Sequence, residues 1–455
     1  MSDPLMDRLA SSDHDLGILT DPDRVSRHLA DATRKPGPMP GLVARPKTTQ
    51  GVSEFLRACH DLGRPVVIQG GLTGLSGGAR PMEGEVVLSL ERMADIGKMD
   101  EVSANVIVDA GVTLHALQQA ADEAGLTFGV DIGARGSATI GGMIATNAGG
   151  IRVLRYDMMR AHVLGLELVL ADGTILTSLR GLLKDNSGPN LNHMFIGSEG
   201  LFGVVTQACL RLSPKPQIGA NALCAVPSVD AALALLQRLR TLLGPQLTAF
   251  EGIFASVYEG VAGMPGKSAP LTPGAPLYIL TETQTFGGDT GDDVFESILM
   301  QSYEDGLCSD VIVSQSGREF EAIWNVREHC TEYTFSLGRL VGHDISVPIA
   351  SVSAFMEAAS RALIESDPDA KAYVFGHLGD GNLHYVVKTE RRDLVSPALY
   401  RVAAGLGGSV TAEHGVGLDK KGYLSLVRSP EEIATIRSLK AALDPKAILN
   451  RGRVI

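Results

Sequence analysis

Gly70-Gly71-Leu72-Thr73-Gly74-Leu75-Ser76-Gly77-Gly78 puts five glycines into nine residues, directly after the apolar run Pro65-Val66-Val67-Ile68. The run predicts a short buried strand, and glycines at its end let backbone N–H groups turn together toward a phosphate. The loop lacks the Gly-Lys-Ser/Thr of a Walker loop and does not open a helix as GxGxxG does. Taken alone it reads equally well as a glycine-rich connection. A second cluster, Gly133-Ala134-Arg135-Gly136-Ser137-Ala138-Thr139-Ile140-Gly141-Gly142 running on to Ala148-Gly149-Gly150, changes the balance. Two loops of small, hydroxyl-bearing residues in one domain suit a long, pyrophosphate-bearing cofactor gripped from two sides.

Around these loops the pattern is mixed. Gln50 to Leu62 has helical spacing and stops at Gly63, while Val86–Leu90 and Val106–Val108 read as strands and Leu114 to Ala124 as a helix. An apolar strand pair flanks Asp172-Gly173, and Phe195 to Val205 reads as strand, turn, strand. Pro214-Lys215-Pro216 marks a domain boundary, after which helices near 229–243, 292–305, 319–336, 351–365 and 429–443 alternate with strands. The expectation is an α+β protein of two unlike halves, with an antiparallel sheet in the second. Its domains are residues 1–215, 216–425, and a C-terminal segment 426–455 that returns to the first.

The net charge of −12 argues against a nucleic-acid partner, because phosphate backbones need a basic face. The five cysteines are dispersed and form no CxxC, which disfavours iron–sulfur and Cys-zinc sites and suits a reducing compartment. No uninterrupted apolar run approaches the roughly 18 residues of a membrane span. The first residues show neither the basic nor the apolar region of a signal peptide, so a soluble cytoplasmic protein is expected.

The second half carries a different chemistry. Phe375-Gly376-His377-Leu378-Gly379-Asp380-Gly381-Asn382-Leu383-His384 reads as a β-hairpin about a two-residue Asp380-Gly381 turn. That register pairs His377 with His384 on one face, so two imidazoles converge. Thr411-Ala412-Glu413-His414-Gly415-Val416-Gly417 offers a carboxylate and a third imidazole. Adjacent strand residues point apart, so Glu413 and His414 can act together only if Gly415 loosens the backbone.

With Leu168-Val169-Leu170-Ala171-Asp172-Gly173-Thr174, Leu183-Lys184-Asp185-Asn186-Ser187-Gly188 and Phe195-Ile196-Gly197-Ser198-Glu199-Gly200 following the glycine clusters in order, the chain resembles the vanillyl-alcohol-oxidase/PCMH-type flavoproteins. Within them it is similar to the FAD-linked D-2-hydroxyacid dehydrogenases with a metal-binding C-terminal half, from about residue 36 to Ile455. The resemblance implies a PCMH-type two-subdomain FAD-binding domain plus an α+β substrate cap. It assigns FAD to Gly70, Gly71, Leu72, Thr73, Gly74, Leu75, Ser76 and Gly77, then to Asp131, Gly136, Ser137, Gly141, Gly142, Thr146, Asn147, Gly149 and Gly150, with Val204 and Asn450. No histidine lies between Gly70 and Gly78, so non-covalent FAD is expected.

The same resemblance makes His377, His384 and Glu413 metal ligands and His414 the base that accepts the substrate's hydroxyl proton. Two nitrogens and one oxygen suit Zn²⁺, with Mn²⁺ as the alternative. Arg327, in Trp324-Asn325-Val326-Arg327-Glu328, becomes the carboxylate anchor, with Thr331 one helical turn on and Asn382 of the hairpin as further substrate contacts. The expected activity is oxidation of a D-2-hydroxy acid to the 2-oxo acid. Electrons would pass to an acceptor other than NAD, such as electron-transfer flavoprotein or a quinone. The reading leaves room for a homodimer. Where the 2-hydroxyglutarate branch carries a lysine before Asp344-Ile345-Ser346, this chain has Gly342-His343, and Val386 follows His384-Tyr385. Both changes point to a less polar D-2-hydroxy acid. Two rivals are a metal-free FAD oxidase using oxygen and a non-redox protein that binds nucleotide and metal.

Overall fold

The computed structural model describes residues 3–267, 269–286, 291–338 and 340–455. The chain divides into two compact units. The first comprises Met1–Gly149, Met158–Lys215 and Glu413–Ile455; the second comprises Gly150–Asp157 and Pro216–Ala412.

In the first unit, strands Val43–Ala44, Val86–Ser89 and Val66–Gln69 form a small parallel sheet in that order. Helix Thr49–Leu62 packs on it through Val52, Phe55, Leu56 and Cys59, all fully buried. Its ends follow from the sequence: the Thr48 hydroxyl accepts the Gly51 N–H, and Gly63 closes the helix in the left-handed region. An antiparallel sheet, ordered Asn105–Asp109, Val204–Arg211, Val163–Val169 and Ile175–Thr177, holds a second core with helices Leu114–Glu123 and Ile140–Thr146. The C-terminal segment pairs with the parallel sheet, where Val66 N–H donates to Ile448 O and Asn450 N–H to Val66 O.

The second unit is built on a seven-stranded sheet. Its order is Asp310–Val313, Gln217–Val226, Leu277–Thr285, Leu247–Phe254, Lys371–Gly376, Asn382–Lys388 and Val341–Ser346, antiparallel throughout. Helix Gly317–Ser336 covers one face through Ile323, Trp324, Val326 and Cys330.

Three expectations are corrected. The return to the first unit begins at Glu413 rather than at residue 426, because residues 414–419 hydrogen-bond to Ser76 and Glu199 there. Gly150–Asp157 leaves the first unit, since Arg152 pairs in two places with the buried Glu282. Phe195 ends a short helix, and only Val204 onward is strand. Helix Arg392–Gly405 was not foreseen, because it carries Pro397 inside its span.

Candidate functional site

The two glycine clusters of the first unit lie against each other. A side chain on Gly71 would overlap the Ser137 carbonyl, and one on Gly70 would overlap the Thr139 hydroxyl. Gly74, Gly133 and Gly136, in contrast, face open space. The Thr139 Oγ1 between them is buried and has no hydrogen-bond partner among the described residues. Leu72, Asn147, Glu199 and Asn450 all have positive φ although none is glycine, and strained backbone of that kind collects at ligand clamps. An orphaned buried hydroxyl in a cradle that glycines keep open fits the pyrophosphate of a bound FAD.

Several residues assigned to the cofactor are already engaged by protein. Ser76 Oγ donates to His414 O (2.9 Å), and its carbonyl accepts the Leu418 and Asp419 N–H groups. Asp131 is buried in an ion pair with Arg135. Asn450 donates to Glu199 O (2.6 Å) and accepts from Ile68 N (3.0 Å), which makes it a clasp across the end of the parallel sheet. The Val204 side chain is buried in the core. Thr146 turns its hydroxyl back to Gly142 O (3.2 Å).

Glu199 organises the loop that carries His414. Its carboxylate accepts the N–H groups of Val416 (2.6 Å) and Gly417 (2.9 Å). Burial raises the Glu199 pKa against the opposing pull of those two hydrogen bonds and of Lys420. Gly415 has a φ of +74° and lies so close that a Cβ would sit 2.7 Å from the Glu199 carboxyl carbon. Residues 411–416 are accordingly not a strand, and the objection that neighbouring side chains must point apart does not apply.

In the second unit the hairpin register differs from the expectation. Phe375, not His377, pairs with His384, and residues 377–381 form a five-residue loop. Gly376, at a φ of +154°, lets the chain leave the strand early. The two imidazoles still converge, with ring centroids 5.2 Å apart at 82°. His377 Nδ1 donates to Glu251 Oε1 (2.8 Å), leaving Nε2 as the lone-pair nitrogen. His384 Nδ1 lies 3.7 Å from Asp344 Oδ1. Asp344 also accepts from Asn382 Nδ2 (2.9 Å) and, through Oδ2, from the Ala412 N–H (3.1 Å).

Glu413 is the residue peptide-bonded to Ala412. The two convergent imidazoles of His377 and His384 are a donor pair that fits a divalent ion. Asn382 Oδ1, two residues before His384 and so on the same strand face, is buried without a partner among the described residues. It is an acceptor suited to a hydroxyl of a bound molecule.

Arg327 is 7% exposed, lies over the Phe375 ring (4.9 Å), and donates through Nε to Glu251 Oε2 (2.7 Å). Its terminal nitrogens make no hydrogen bond among the described residues, so the fork stays available for a carboxylate. Thr331, one turn further, is exposed. Glu251 and Asp344 were missed from sequence. A glutamate inside the apolar strand Leu247–Phe254 was the available signal, because a buried charge there requires partners. Burial works to raise the Glu251 pKa, but its contacts with His377 and Arg327 outweigh it and hold the carboxyl below its ordinary range.

A family model described as "FAD binding domain" matches residues 40–178, and one described as "FAD linked oxidases, C-terminal domain" matches residues 215–454. The solved structure of p-cresol methylhydroxylase covers 99% of this chain and 96% of its own, with a TM-score of 0.78 at 16% identity. Fold and cradle together define a flavoprotein of PCMH-type architecture. The mitochondrial D-2-hydroxyglutarate dehydrogenase of Bos taurus is 38% identical, across 96% of this chain and 81% of its own length. The D-2-hydroxyglutarate dehydrogenase of Xanthomonas citri pv. viticola is also 38% identical, across 100% and 97%. A putative mitochondrial D-lactate dehydrogenase of Schizosaccharomyces pombe is 35% identical, across 90% and 80%. The chain belongs to the FAD-linked oxidase family and is an FAD-dependent hydroxyacid dehydrogenase.

Proposed function

We propose that the protein oxidises a D-2-hydroxy acid to the 2-oxo acid with a divalent ion, Zn²⁺ or Mn²⁺, held by His377, His384 and Glu413. The observation that carries this reading is the pair of imidazoles, each with a carboxylate facing its Nδ1, one of those carboxylates also holding Arg327. When bound, non-covalent FAD supplies the hydride acceptor and the ion supplies Lewis acidity. The chain's own residues do the rest. Arg327 grips the substrate carboxylate through its terminal nitrogens, Asn382 Oδ1 accepts from a hydroxyl, and His414 takes the proton released as the carbonyl forms. Electrons then leave for an acceptor such as electron-transfer flavoprotein or a quinone.

D-2-hydroxyglutarate is the first substrate to test, because relatives at 33–38% identity carry that name. A second reading, a monocarboxylic or less polar D-2-hydroxy acid, is favoured by one feature of the sheet. Gly342 pairs with Val386, two residues along from the Asp344–His384 pair on the same face. No cationic side chain stands at that pair to meet a second carboxylate, and a side chain on Gly342 would enter open space.

Gly342→Lys is therefore expected to raise kcat/KM for D-2-hydroxyglutarate relative to D-lactate by about 10-fold or more, the worth of one charge-assisted hydrogen bond. Steady-state rates with a dye acceptor measure the ratio. The function itself is tested by anaerobic mixing with paired D- and L-2-hydroxy acids while flavin absorbance is followed. D-isomers should bleach the flavin, and a protein bleached by neither isomer contradicts the reading.

A further inference from the structure

Glu251 lies on the central strand Leu247–Phe254 and is 1% exposed. Both of its oxygens are occupied, and by two different parts of the candidate site. Oε1 receives the His377 Nδ1 proton at 2.8 Å and Oε2 receives the Arg327 Nε proton at 2.7 Å. His377 comes from the hairpin loop 377–381, whereas Arg327 comes from helix Gly317–Ser336. Nothing in the chain order links these elements; the carboxylate does. A buried carboxylate with a single task needs one strong partner, and Arg327 alone would neutralise it. The second bond, to the imidazole, holds His377 in the tautomer with its proton on Nδ1.

We propose that Glu251 is a shared positioning residue that sets the distance between the ion and the carboxylate anchor, so that ion binding and substrate-carboxylate binding are coupled through it. This rests on the metal-dependent reading above. A 2-hydroxy acid presents its hydroxyl and its carboxylate on adjacent carbons. The ion ligand and the arginine must therefore keep a fixed spacing to engage both at once. A carboxylate bonded to both provides that spacing without touching the substrate. The same link makes a testable demand: disturbing Arg327, which is not an ion ligand, should be felt at the ion.

The experiment uses the full-length flavoprotein stripped of divalent ions, with Zn²⁺ affinity read by competition against a chromophoric chelator and KM read at saturating Zn²⁺. Glu251→Gln is expected to weaken Zn²⁺ binding about 10–100-fold, the usual cost of losing such a partner, and to raise KM about 10-fold. In an Arg327→Met background, the KM effect of Glu251→Gln should vanish while its Zn²⁺ effect persists. Arg327→Met alone should weaken Zn²⁺ several-fold, and this holds as a test even if Glu251→Gln fails to fold.

Wild-type protein that takes up neither Zn²⁺ nor Mn²⁺ defeats the metal reading itself. Wild type that binds the ion, while Arg327→Met and any folded Glu251→Gln bind it just as tightly, defeats only the coupling. A Zn²⁺ defect in Glu251→Gln with an unchanged KM likewise overturns the shared role, since Glu251 would then serve His377 alone.

Discussion

His414→Ala should leave a yellow, folded, ion-binding protein whose flavin is reduced by substrate about 10²–10⁴-fold more slowly, the usual loss when a general base is removed. The expectation of a selective effect comes from how the loop is attached. Three of the bonds that hold it run through the main chain: His414 O accepts from Ser76 Oγ, and the Val416 and Gly417 N–H groups sit on Glu199. Deleting the imidazole leaves each of those bonds in place. Anaerobic stopped-flow reduction measures the rate, and the flavin-to-protein ratio and bound zinc report on integrity. Parallel loss of rate, flavin and zinc would mean that the side chain holds the loop, not that it moves a proton.

Gly71→Ala should abolish flavin retention. The new Cβ would collide with the Ser137 carbonyl oxygen and lie 2.8 Å from its carbon. That carbonyl cannot retreat easily. Ala138 N–H is bonded to Ala134 O (2.8 Å), and Ala138 O accepts the Leu114 N–H (2.9 Å), which ties the second loop to a core helix. Overpacking against fixed atoms costs about 1–3 kcal/mol, and here it falls on the cradle itself. Gly74→Ala is the matched control, because its Cβ meets nothing within 4 Å of protein. The control should fold with wild-type thermal stability, whereas Gly71→Ala should purify colourless with a lowered Tm. Equal flavin content in the two variants would show that the contact between the loops does not shape the cradle.

Much of the fold was legible because burial imposes a period. Helix Val229–Leu243 follows from Ala232, Leu235, Leu236, Leu239 and Leu243 on one face behind the Ser228 cap. Strand Val66–Gln69 follows from an uninterrupted apolar run. Helix Arg392–Gly405 was hidden by Pro397, and the hairpin register by Gly376, whose backbone geometry no neighbouring residue announces. In the candidate site the residues proposed as ligands stood out, since histidine pairs and Glu-His near glycine are uncommon. Their supports could not. Glu251 is 126 residues from His377 and 76 from Arg327, and only the sheet order brings them together. In the second glycine cluster Asp131 pairs with Arg135 and Thr146 turns its hydroxyl inward on its own helix. Residue type and spacing could not reveal that, because a side chain's partner depends on tertiary placement.

The central claim is that a D-2-hydroxy acid reduces the flavin only when the divalent ion is present. Its most direct measurement is anaerobic reduction of the purified protein in three states: as isolated, stripped by chelator, and reloaded with Zn²⁺ or Mn²⁺, each mixed with D-2-hydroxyglutarate and D-lactate. The account predicts rapid bleaching as isolated, at least a 100-fold slower rate after stripping (on the order of a lost Lewis-acid contribution of several kcal/mol), and recovery on reloading. Bleaching at the same rate in all three states would contradict it.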